Sequence, residues 1–402
     1  MRVVPTPRAS WLAIGAIAAL IGATLIVVPY LQGLWFVLRA AEVGGLAGRA
    51  AAVAAQHVTE RPIDMSTRSG TVRGRWYQPD RRPRRTALLV SGLHPAGIDE
   101  PRLVALARDL AGSGLGVVTP DIPELSSASI TPALTDAIED AGVSLSRQSA
   151  DPQTGADRRI GLMGISFRGG LAIVAAGRES LRDRVAYVIA LGGHDDLTRV
   201  LQYLCTGIEP SHPREFRLDT EPASVVARPP HDYGLAVVLL NMAPRLVPRE
   251  QVEPLRAAVT QFLWASHLDR VDKKQADEQF AALRERARHL PQPSATLLDY
   301  VNNRDVVHLG ARLLPYVPVF GRAPALSPSK SPKPTAPVFL LHGIEDNVIP
   351  AVESEYLADD IRGHAPVRLL LSGLISHAEV DRPIRAGDVM SLAEFWADVL
   401  KR

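Results

Sequence analysis

Between residues 86 and 191 the chain alternates short apolar runs with stretches of helical period, and this alternation constrains the fold more than any other feature. Thr86 to Val90, Leu115 to Thr119, Arg159 to Gly164 and Val185 to Leu191 read as strands. Between them lie helical patterns over Glu100 to Leu110, with a start signal in Asp99 and Pro101, and over Ile130 to Leu145. Strands that are apolar on nearly every residue are buried on both faces, so they imply a mostly parallel α/β sheet with helices on both sides. Ligands in such sheets bind beyond the carboxyl ends of the strands. A β-rich run from Thr71 to Tyr77 precedes the alternation. After Asp196 helical patterns take over, until Pro337 to Leu341 restores a strand. A helix over Ala351 to Ile361, a strand over Val367 to Leu371 and a helix over Ala386 to Val399 complete the pattern. The expected division is a membrane segment at 1–40, a linker at 41–69, a sheet core at 70–196 and 336–402, and an inserted helical cap at 197–335.

Whole-chain properties narrow the function. A composition of 46% apolar and 22% charged residues is that of a globular protein. A net charge of +2 leaves no basic footprint for nucleic acid. Cys205 is the single cysteine, which excludes an internal disulfide framework and a multi-cysteine metal site, and it reads as a small apolar residue in a helix. No cofactor or metal is implied, and oligomeric state is not encoded in any pattern.

No charged residue occurs between Arg8 and Arg39. A spanning helix needs about 20 apolar residues and a signal-peptide core only about 7 to 15, so the length predicts a retained N-terminal transmembrane helix. Trp11 and Tyr30 suit interfacial belts, Pro29 suits the end of the span, and Leu31 to Leu38 would lie along the interface. The expectation is a single-pass membrane protein whose folded domain is exported.

The motif GISFRGG at residues 164–170 joins an apolar strand to the small-residue helical run Leu171 to Ala176. A serine between a buried strand and a helix, flanked by glycines, suggests a nucleophile elbow, in which a sharp turn exposes the hydroxyl and glycines permit close strand–helix approach. Arg168 stands where the pattern G-x-S-x-G has a small residue. A nucleophilic serine needs a base, and the base needs a third group to hold its tautomer. Both types follow later strands: Asp346 in Leu341 to Pro350 (LHGIEDNVIP), and His377 in Ser372 to His377 (SGLISH).

Three motifs in this order resemble those of the α/β-hydrolase family with a cap domain, over roughly residues 70 to 402. The most specific is LHGIEDNVIP, which is similar to a run carrying the triad acid in that family. The resemblance implies Ser166 as nucleophile, His377 as general base and acid, and Asp346 as the residue orienting His377. It further implies an oxyanion hole from the backbone N–H of Phe167 and of Leu93, the latter in the loop Ser91 to Gly97. Ser91 stands where a histidine before glycine is usual in that family.

The implied activity is hydrolysis of carboxylic esters through an acyl-enzyme, on small-molecule substrates with hydrophobic or lipid-like acyl groups among them. The alternatives are a peptidase or amidase, an acyltransferase with the same triad, and a catalytically inactive membrane-tethered binding protein. Glu345 is an alternative acid, as are Asp195 and Asp196, and His94 is a candidate for substrate contact or packing. The apolar run Leu235 to Ala243 is either fully buried or the wall of an apolar cleft.

Overall fold

The computed structural model describes residues 27–92, 94, 96–123, 128–149, 159–211, 229–375 and 386–402. Eight strands form one sheet: β1 (Val58–Thr67), β2 (Gly70–Pro79), β3 (Thr86–Val90), β4 (Gly116–Pro120), β5 (Ile160–Ile165), β6 (Val185–Leu191), β7 (Val338–Gly343) and β8 (Val367–Ser372). Their order across the sheet is β1-β2-β4-β3-β5-β6-β7-β8. β2 is antiparallel to both β1 and β4, and the remaining pairings are parallel.

Alternation along the strands divides the core in two. Leu88, Val90, Val118, Leu162, Val188 and Leu340 face one buried cluster, which the helices Pro132–Gln148, Phe167–Gly177 and Val352–Ile361 cover. Ala87, Leu89, Val117, Met163, Ile189 and Phe339 face the other, under the helices Pro101–Gly112 and Ala386–Leu400. The helix after β3 therefore lies on one face and the helix after β5 on the opposite face, although β3 and β5 are neighbours. Loops leaving adjacent strands in opposite directions open a crevice between them, the usual ligand site of an open parallel sheet.

The helices of the expected cap, Leu197–Thr206, Asp232–Leu246, Arg249–Val271 and Lys273–His289 among them, share one apolar cluster with the first face of the sheet. Leu255, Val259, Phe262 and Leu283 are buried in it. Leu235 to Ala243 is buried as well, apart from the partly exposed Asn241, so that run is core. Cys205 is buried in this cluster, where burial pushes its thiol up to about 12.

Two expectations need correction. Residues 41–69 are not a bare linker: Gly45–Ala54 is helical and β1 pairs with β2 over its full length. β1 alternates weakly, buries Ile63 and Met65, and carries Pro62, a composition that only a sheet edge tolerates.

The second correction concerns the membrane. Among the described residues no helix is long and apolar enough to cross one, so the expected single-pass membrane protein is not supported. Most of the expected span, Trp11 included, lies outside the described residues. Pro29 does not end a helix, since residues 27–40 are helical. The stretch expected along an interface packs instead on the C-terminal helix, with Phe36 and Val37 buried and the Phe36 and Trp396 rings 4.4 Å apart. Arg39 is drawn into the domain too, donating to the Ala51 carbonyl at 3.1 Å, to Ser113 Oγ at 2.6 Å and to Asp109 Oδ1 at 3.3 Å. Protein thus covers the apolar residues Phe36 and Val37, whereas Val27, Val28 and Leu31 stay exposed. Phe36→Ala is expected to destabilise the domain by about 3 to 5 kcal/mol, the range for emptying a buried aromatic site. Chemical denaturation checks this, and an unchanged midpoint would show that the helix does not belong to the folded unit.

Candidate active site

Ser166 follows β5 and opens the helix Phe167–Gly177, with φ 57° and ψ −137°. This backbone conformation is unfavourable for a residue with a Cβ, by about 1 to 3 kcal/mol, and persists only where neighbours hold it. Here Ser166 N–H donates to the Leu191 carbonyl at 2.6 Å and the Ser166 carbonyl accepts from Gly169 N–H at 2.7 Å. The turn folds back tightly enough that a Cβ on Gly164 would overlap the carbonyl of Arg168. Ser166 itself is half-buried, at the carboxyl end of β5 and beside the β3–β5 crevice.

The Arg168 misfit has a physical resolution. Its carbonyl, not its side chain, occupies the strand–helix junction, and the guanidinium is wholly buried. Burial lowers its pKa to about 10, so it stays charged at neutral pH. It lies within Coulombic reach of the Tyr233 phenol on the helix Asp232–Leu246. Burial pushes that phenol up to about 12, against the pull of Arg168 and Arg102.

Asp346 follows β7, is 3% exposed, and is held by its own loop. Its Oδ1 accepts the N–H groups of Val348 at 2.8 Å and Ile349 at 2.9 Å. Its Oδ2 faces Gly192 at the end of β6: a Cβ there would stand 3.5 Å from Oδ2 and 4.0 Å from Ser166 Cα. The carboxylate and the elbow therefore share one crevice, separated by the width of a glycine. Glu345, the neighbouring alternative, is exposed. Asp195 and Asp196 are committed elsewhere. Asp196 caps the helix Leu197–Thr206 through Thr198 N–H at 2.7 Å and pairs with Lys330 at 2.9 Å. Asp195 Oδ2 accepts from Arg199 Nη2 at 2.9 Å.

His342 was legible only as a letter of the LHGIEDNVIP motif. It is fully buried, donates from Nε2 to the Ile349 carbonyl at 2.9 Å and accepts at Nδ1 from Ser354 Oγ at 2.6 Å. One neutral tautomer satisfies both bonds and closes the loop that carries Asp346.

Phe167 is half-buried, and its ring lies parallel to the His194 imidazole, 4.7 Å between centroids and 11° between planes. Leu93 and His377 lie outside the described residues. The loop of Leu93 is described at Ser91, Gly92 and His94, with Ser91 buried. His94 Nδ1 accepts from Ala96 N–H at 3.2 Å, which assigns the proton to Nε2, and Nε2 then donates to His267 Nδ1 at 3.0 Å. His267 belongs to the helix Arg249–Val271, and no pattern in the sequence marked it.

No family model matches the chain, and no curated protein does. Similar solved structures include an esterase of the archaeon Pyrobaculum calidifontis, with 14% identity, a TM-score of 0.44 and coverage of 94% of this chain and 92% of that one. A lipase in its open form has 16% identity, a TM-score of 0.43 and coverage of 86% and 100%. An acylaminoacyl peptidase of Pyrococcus horikoshii has 11% identity and a TM-score of 0.45, over 89% of this chain and 43% of that one. The chain thus spans less than half the length of the acylaminoacyl peptidases it matches.

Behind the elbow, Asp195 joins a buried network in which Glu353, wholly buried, accepts from Asp195 N–H, Asp196 N–H and Arg199. Burial, reinforced by the Glu353 charge and opposed by Arg199, raises the Asp195 carboxyl to about 6. The folded state therefore binds its proton more tightly than the unfolded chain. The stability this confers is complete below an unfolded pKa of about 3.9 and is lost as pH rises through about 6. Asp195→Asn, which keeps an acceptor for Arg199, is expected to be more stable than the parent at pH 8 by on the order of 2 kcal/mol, with no gain at pH 4. Denaturant titrations at both pH values check this, and a gain equal at the two would refute the titration of Asp195 as its cause.

Proposed function

We propose that the protein is a serine hydrolase that cleaves carboxylic esters through an acyl-enzyme. The observation that carries this reading is the strained Ser166 turn at a sheet crevice, facing a buried, loop-held Asp346 carboxylate across Gly192. A serine in a conformation disfavoured for any side chain, braced by main-chain hydrogen bonds and set beside an ordered acid, is arranged for nucleophilic chemistry.

In the proposed cycle Ser166 Oγ attacks the substrate carbonyl while His377 takes its proton, and Asp346 holds the His377 ring and stabilises the imidazolium. The N–H of Phe167 stands in the first turn of a helix, where no intrahelical acceptor exists, and is one oxyanion donor; the N–H of Leu93 is the other. Collapse of the tetrahedral intermediate expels the alcohol, which leaves with the proton from His377. Water then gives a proton to His377, attacks the acyl-enzyme and releases the carboxylic acid as Ser166 is reprotonated.

In this reading 70–196 and 336–402 make the catalytic core and 197–335 is a cap. Contacts with the Asp346 loop, the elbow and the loop of His94 support the cap assignment. The Asn347 carbonyl, next to Asp346, accepts from His231 N–H at 2.9 Å and Tyr203 OH at 3.3 Å. Tyr233 lies near Arg168 of the elbow, and His267 pairs with His94 of the oxyanion loop.

The parent protein is expected to react with a fluorophosphonate probe and to hydrolyse p-nitrophenyl esters faster than the matching anilides. Ser166→Ala should abolish labelling, and Asp346→Asn should lower kcat by about 10³ to 10⁴. Equal labelling of Ser166→Ala would defeat the assignment of the nucleophile. Preference for the anilides would replace the esterase reading with an amidase one, and a series of acyl lengths reads the size of the acyl site.

A further inference from the structure

The last glycine of GISFRGG has a partner that the triad does not use. A Cβ on Gly170 would stand 2.5 Å from both Cε1 and Nδ1 of His194, so the helix of the elbow lies directly on the imidazole. His194 is 0% exposed. Its Nε2 donates to the Leu326 carbonyl at 2.8 Å, which fixes the ring and places the lone pair on Nδ1. Nδ1 has no hydrogen-bond partner among the described residues. Leaving a buried acceptor unsatisfied costs about 1 to 3 kcal/mol, so a histidine is a poor choice here if filling space were its only task. The imidazole is also stacked on the ring of Phe167, in the first turn of the same helix.

We infer that His194 is a positioning residue which, by stacking on the Phe167 ring from an anchored and buried site, holds the Phe167 peptide so that its N–H meets the oxyanion. The ring of Phe167 and its N–H leave the same Cα, and a side chain clamped against a fixed plane limits rotation about the bonds that aim the N–H. Burial lowers the basicity of His194, so the stacked ring is the neutral imidazole. Anchorage comes from Leu326, in a segment that buries Leu326, Ser327 and Pro328 against the helix Phe167–Gly177.

The inference rests on the serine-hydrolase reading, and two substitutions separate the two. His194→Phe retains an aromatic plane, whereas His194→Gln retains a hydrogen-bonding group without one. With a p-nitrophenyl ester, His194→Gln is expected to lower kcat about 10- to 100-fold while KM stays within about twofold, short of the loss on deleting an oxyanion donor outright. His194→Phe should remain within about threefold of the parent in kcat. Inhibition by a trifluoromethyl ketone bearing the same acyl chain, whose adduct carries an oxyanion, should weaken in step with kcat. If either variant fails to fold, Phe167→Leu, which removes the stacked ring and keeps the main-chain N–H, carries the same expectation as His194→Gln. An unchanged kcat in His194→Gln, a change confined to KM, or an equal loss in His194→Phe overturns the inference while leaving the hydrolase reading intact. A parent protein that neither turns over esters nor forms an adduct at Ser166 overturns both.

Discussion

The structure depends on a backbone conformation that Ser166 does not favour. A turn with positive φ at a residue carrying a Cβ survives only because its surroundings leave no alternative: the N–H is taken by Leu191, the carbonyl by Gly169, and the return path is closed by Gly164 against Arg168. Each brace comes from a different depth of the fold. Leu191 belongs to β6, which must be in register with β5 for its carbonyl to face Ser166. The sheet therefore stabilises the turn, which stands at the carboxyl end of β5 beside the crevice.

Around that turn the helical insertion serves as more than a cover. It touches the Asp346 loop through His231 and Tyr203, the Ser166 turn through Tyr233, and the loop of His94 through His267. Because the insertion and the sheet share one apolar cluster, a displacement of the insertion would be felt at all three loops. The partly buried Arg199 also links segments. Arg199 is compensated by Asp195 and Glu353 and stacks over Tyr356 at 3.8 Å, so charge neutralisation ties the segment after β6 to the helix after β7.

Much of the fold was legible in the sequence, because strand and helix periods report which face of a segment is buried, and that is a local property. The six apolar strands and the helices that follow them stand within a few residues of where periodicity put them. β1 escaped notice because an edge strand has one solvated face and one free rim, which leaves little alternation to read. At the site, Ser166 was marked by local turn chemistry, Asp346 by its place after a strand and the motif around it, and Phe167 by the family resemblance. His194 and His267 were not, since a buried histidine acquires a role only from what packs on it. The N-terminal misreading has a related cause. A charge-free run signals removal from water without saying whether lipid or protein takes its place, and at Phe36 the C-terminal helix does so.

Sequence alone determined that the chain would build a parallel sheet with a serine on a sharp strand-to-helix turn, and that an acid loop would follow a later strand. Hydrophobic period and glycine placement encode both, because they act over a few residues. Only the tertiary structure decided that Asp346, and not Glu345, Asp195 or Asp196, looks across Gly192 at the elbow, and that the large side chain at Arg168 could be buried beside it. Those outcomes hang on strand order, register and the seating of the helical insertion, which bring together residues far apart in the chain and leave no periodic trace in it.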